Sequence, residues 1–165
     1  MTQPVPDVEL DLARECTLLP ILRILHDRWI ADVRTELAPA LRPAASPWER
    51  FAAIRYLDTV FQLRLQRESN AIDAVAGLVA PRQGTTLLAT AQLLYLLRVE
   101  IGDLSQQAAS DLLVPPRLQA LMQQLEHWCA DVEVAFGWMR RDTIAPEALD
   151  GFLAVSELPA APHLH

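Results

Sequence analysis

Leu87-Leu88-Ala89-Thr90-Ala91-Gln92-Leu93-Leu94-Tyr95-Leu96-Leu97-Arg98-Val99-Glu100-Ile101 is the stretch whose reading decides the fold class. At 100° per residue its large apolar side chains point nearly all the way round, the pattern of a helix covered by neighbours on several sides. It is too short to span a bilayer, which needs about 20 mostly apolar residues, and Thr90, Gln92 and Arg98 interrupt it. The run predicts a central core helix in a helical domain, with no membrane among its partners.

Composition points the same way. Five Gly in 165 residues, against 52% hydrophobic residues, favours helix and leaves few of the turn residues a sheet protein needs. The length suits one domain with one substantial core, here assigned to 1–157 with a flexible tail at 158–165. A net charge of −7 excludes nucleic acid as the expected partner, because phosphate neutralisation needs clustered basic side chains. Anionic membrane surfaces are disfavoured for the same reason. The two cysteines, Cys16 and Cys129, lack a CxxC spacing and read as small core residues in a reducing compartment. The start, Met-Thr-Gln-Pro-Val-Pro-Asp, has no basic segment followed by an apolar run, so a cytoplasmic location is expected.

Working outward from the central helix, a first helix is expected from about Asp7 to Leu37, kinked or broken at Pro20, where proline removes a backbone donor. The second has the clearest start in the chain. Ser46 is placed as N-cap, Pro47 at the first helical position and Glu49 to complete a capping box, and the pattern runs on to about Val79. Thr85 or Thr86 is expected to cap the central helix, with Gly102 a kink or break. Pro115-Pro116 opens another helix that runs to about Arg140, Arg140 and Arg141 suiting its negative end. A short fifth helix is read from Pro146 to about Glu157. Short, proline-marked loops between four long helices predict an all-α, up-and-down bundle with the fifth helix at one end.

Several polar residues interrupt the apolar faces. His26 falls in the middle of the first helix's stripe, and Glu15 joins it if that helix runs unbroken through Pro20. Glu68 lies inside the second helix's stripe of Phe51, Ile54, Leu57, Phe61, Leu65 and Ile72, with Asp58 at its edge. Arg98 follows Leu87, Ala91 and Leu94 on one face of the third. The fourth carries Leu118, Leu121, Met122, Leu125, Trp128, Cys129, Val132, Phe136 and Met139 with no charged residue among them, and His127 and Asp131 point away. Charged side chains are almost never fully buried unless paired, so the interruptions have three readings. Arg98 pairs with Glu68 or Asp58 across helices while His26 bonds a carbonyl or carboxylate; or a face meets a partner chain; or His26, Asp58, Glu68 and Arg98 line a ligand pocket.

Catalytic and metal motifs are missing from the sequence. There is no Glu-x-x-His, no HExxH, no Gly-x-Ser-x-Gly and no phosphate loop, and lysine is absent altogether. No metal or other cofactor is expected. Trp48 and Trp138 lie off the main stripes, which makes them candidate interface residues, with packing under the first loop or against the fifth helix as the competing account. Arg64 and Arg67 with Glu68, and Arg55 with Asp58, have the spacing of surface pairs. The functional expectation is a non-enzymatic protein-interaction or regulatory module that self-associates as a homodimer. The alternative is a small-molecule-binding bundle or an enzyme with a polar interior pocket.

Overall fold

The computed structural model describes residues 16–76, 84–144 and 146, and within them the protein is all α, with no strand. The first helix, α1, spans Leu19–Leu37. Pro20 sits in its first turn, where the missing N–H would have had no partner in any case, so the proline opens the helix instead of kinking it. Residues 16–18 are not helical, and Glu15 and the expected helix before it lie outside the described residues.

A short 3₁₀ turn, Pro39–Leu41, leads to Ser46. The Ser46 hydroxyl accepts from the Glu49 N–H at 3.2 Å and the Ser46 N–H donates to the Glu49 carboxylate at 2.7 Å, so the expected capping box is present. From it runs one rod in three parts: α2 (Pro47–Tyr56), a π-helical turn (Leu57–Phe61) and α3 (Gln62–Ala76). The π turn holds an extra residue and so advances the phase of everything upstream by roughly 100°. Ala53 and Tyr56 consequently turn into the core, and Phe51, expected there, is 45% exposed.

Helix α4 spans Gly84–Gln106 without interruption at Gly102, and α5 spans Val114–Phe136. Thr85 and Thr86, expected at its cap position, therefore lie inside the first turn of α4. A 3₁₀ turn, Arg141–Thr143, follows α5. The expected fifth helix, apart from Pro146, and the tail at 158–165 lie outside the described residues.

Cross-helix partners give the directions of packing. His26 meets Glu68 and Asp32 meets Arg64, so α1 and α3 run antiparallel; His26 meets Glu133 and Arg34 meets Glu126, so α1 and α5 do too. Arg117 reaches Glu100, and Trp128 Nε1 donates to the Thr90 carbonyl, which sets α4 against α5 in the same sense. The core centres on Trp29 and Trp128, stacked with centroids 6.5 Å apart, and Phe61, edge-on to Trp29. All nine expected apolar positions of the α5 face are buried.

Helix α4 departs from expectation. Thr90, Leu94, Leu97, Ile101 and Leu104 are buried, but Tyr95, Leu96 and Val99 are exposed, so the helix is covered on one side and is not central. Beyond α5, Arg140 and Arg141 do not end a helix. Arg140 pairs with Asp142, and Arg141 donates from its backbone to the Cys16 carbonyl and from its side chain to that of Thr17, tying the end of α5 to the start of α1. Cys16, expected in the core, is exposed; Cys129 is buried, and both are free thiols.

Candidate functional site

The charged centre of the protein is built on His26. Three apolar residues and one histidine repeat along α1 at helical spacing, Leu22, Leu25, His26 and Trp29, and all are buried. The ring is therefore held by packing before any hydrogen bond forms. Its Nε2 lies 2.9 Å from Glu68 Oε1 on α3, and its Nδ1 lies 2.9 Å from Glu133 Oε1 on α5. Trp29 and Trp128 flank it with centroids at 6.3 and 6.1 Å.

With a carboxylate on each ring nitrogen, the arrangement calls for two N–H donors, which is the imidazolium form. Burial opposes that charge, but the hydrogen bonds and negative charges of Glu68, and after it Glu133, prevail, and the imidazole pKa is raised above its ordinary value. Glu133, 21% exposed, also faces Arg23 at 3.5 Å. Glu68 is fully buried, and its Oε2 has no hydrogen-bond partner. One imidazolium and two carboxylates thus join three helices, with an outlet to solvent through Glu133.

This cluster has no room for a substrate. Two indoles and two carboxylates enclose the imidazole, and both nitrogens are engaged, so it can fix three helices in register but cannot present a free base. The nearby Cys129 thiol is pushed well up by burial, with the negative charges of Glu68 and Glu133 adding to the effect, and is an inert packing group. A second buried cation, Arg64, donates to Asp32 at 2.8 Å and is 2% exposed. The Tyr56 hydroxyl lies in this region, enclosed and without a partner; burial pushes its pKa to about 12, Arg64 opposing the rise.

Of the four residues read as pocket candidates, the structure brings together His26 and Glu68 only. Asp58 lies half-buried in the π turn, away from them, and Arg98 lines a cleft between α3 and α4. The expected pairing of Arg98 with Glu68 or Asp58 does not occur; Glu68 instead accepts from His26. Arg64, read as a surface partner of Glu68, turns inward to Asp32 instead. Sequence reasoning missed Glu133, which sits at the edge of the α5 stripe one turn after Cys129. Its spacing of four from Cys129 and three from Phe136 was the available signal.

The aromatic candidates are separated as well. Trp48 is 73% exposed and stacks on Phe51, with centroids 5.5 Å apart. Trp138 is 51% exposed and donates from Nε1 to the Ala135 carbonyl at the opposite end of the helices. No group of three or more His, Cys, Asp or Glu among the described residues is arranged to hold a metal ion, and no helix there is long and apolar enough to cross a membrane. Compared with protein-family models, curated proteins and solved structures, the chain matches none.

Proposed function

We propose that the protein is a non-enzymatic interaction module that self-associates through the start of α2. The observation that carries this is the Trp48–Phe51 stack, two large rings left to solvent at 73% and 45% exposure beside a well-formed helix cap. Tryptophan and its aromatic neighbours are over-represented among the residues that dominate interface energies. An apolar patch is complementary to itself, so a two-fold pairing of two copies needs no second kind of surface. Of the four pocket candidates only His26 and Glu68 meet, and they engage each other, which weighs against an interior active site.

In this reading the four long helices form an up-and-down bundle, supported by the antiparallel cross-helix partners, with the segment after Pro146 as its fifth helix. Two free thiols fit a cytoplasmic setting. Sedimentation equilibrium tests the proposal: the wild-type chain is expected to reach twice the monomer mass, and Trp48→Ala to shift it toward the monomer while leaving the unfolding midpoint of the dilute, monomeric protein unchanged. A wild-type monomer across a hundredfold concentration range would overturn it.

A further inference from the structure

A cleft of about 540 Å³ opens between α3 and α4. That volume falls within the range of about 300–1,000 Å³ found for small-molecule sites, which combine apolar walls with a few convergent polar groups. Buried Ile72 and Leu94 supply the apolar part here, and Gln62, Ser69, Asp73 and Arg98 the polar part.

Arg98 is the informative member. It is half-buried, and among the described residues it makes neither hydrogen bond nor ion pair, although Asp73 lines the same cleft. Two other inward arginines among the described residues have carboxylate partners: Arg64 has Asp32 at 2.8 Å and Arg117 has Glu100 at 2.7 Å. A guanidinium with its stem against apolar surface and its fork unused is a ready partner for a planar anion.

We infer that the α3–α4 cleft binds a small amphipathic carboxylate, with its head group on Arg98 and its apolar body over Ile72 and Leu94. One guanidinium matches one carboxylate bidentately. A phosphate dianion would face a single cation and the opposing charge of Asp73, so the geometry favours the monoanion. The site lies on different helical segments from the Trp48–Phe51 patch, and its occupation does not depend on self-association.

Titration calorimetry with octanoate, octanamide and octyl phosphate tests this. Octanoate is expected to saturate at one per chain, at least tenfold more tightly than octanamide and more tightly than octyl phosphate. Arg98→Met keeps the stem but removes the fork, and is expected to erase the preference for octanoate over octanamide, while Arg98→Lys restores part of it. Ala91 is exposed at the cleft, so Ala91→Phe should fill the space and abolish binding without touching the core. Trp48→Ala should leave the affinity unchanged. Equal affinity for octanoate and octanamide, uptake that does not saturate at one per chain, or unaltered binding in Ala91→Phe would each overturn the inference.

Discussion

Glu68 accepts from His26 Nε2 at 2.9 Å with one carboxylate oxygen, while its other oxygen is enclosed with no donor. The histidine is satisfied on both sides and the glutamate on one. Removing the imidazole therefore leaves a buried carboxylate stripped of its donor. His26→Leu is expected to cost about 3–5 kcal/mol, the usual penalty for breaking a buried charge pair from one side. The double change His26→Leu with Glu68→Leu should cost less than the sum of the two single changes. Urea unfolding of the three variants measures the coupling, and strict additivity would mean that the pair is not a unit.

The same cluster sets a pH dependence. Because the folded imidazole pKa lies above its unfolded value near 6.5, the cluster's contribution is fully present below about pH 6.5 and is lost as pH rises through the folded value. Stability should therefore fall from pH 6.5 upward, by no more than about 1.4 kcal/mol per pH unit. Urea midpoints between pH 6 and 9 should show this slope in the wild type and lack it in His26→Gln. A slope of the opposite sign in the wild-type minus variant difference would contradict the imidazolium assignment.

Two glycines should respond oppositely to alanine. At Gly137 an added Cβ would run into the Glu133 carbonyl oxygen and lie 2.8 Å from Leu19 Cδ1, where α5 ends against the start of α1. At Gly102, inside α4, it would meet nothing within 4 Å. Gly137→Ala is expected to destabilise by about 1–3 kcal/mol through overpacking. Gly102→Ala should stabilise by roughly 0.5–1 kcal/mol, since glycine in a helix interior carries extra conformational entropy. Thermal unfolding of the two variants side by side reads both signs.

Tryptophans of unlike burial should also separate. Trp29 is 1% exposed at the centre of the core, and Trp29→Ala is expected to cost about 3–5 kcal/mol. Trp48→Ala should change monomer stability by less than about 0.5 kcal/mol, as for ordinary surface substitutions. Denaturant melts at low protein concentration distinguish them.

The α5 face and the Ser46 cap were legible because each depends on local rules: apolar spacing in one case, a serine and a glutamate three apart in the other. Burial of His26 and Glu68 was legible from their places in apolar stripes. The rest required knowledge of neighbours. A π turn leaves no local mark, so the phase of Phe51 was read from an unbroken α-helix and came out on the wrong side. Hydrophobicity all round α4 did not say which sides other helices would occupy, and Tyr95, Leu96 and Val99 remain outside. Arg64 had a plausible partner in Glu68 on its own helix. Only the approach of Asp32 and His26 from α1 decides where each of the two turns.

The α1–α5 seam has a consequence for the order in which the chain closes. Its histidine and glutamate stand 107 positions apart, whereas Glu100 and Arg117 in the α4–α5 hairpin stand 17 apart. Closing the longer loop from an open chain costs about 1.6 kcal/mol more, since the penalty grows with the logarithm of length. The hairpin is thus the cheaper nucleus and the seam the later event. The imidazolium leaves water only when most of the apolar surface around it is already in place, so changes to Glu133 should act on the rate of unfolding and leave the rate of folding nearly untouched.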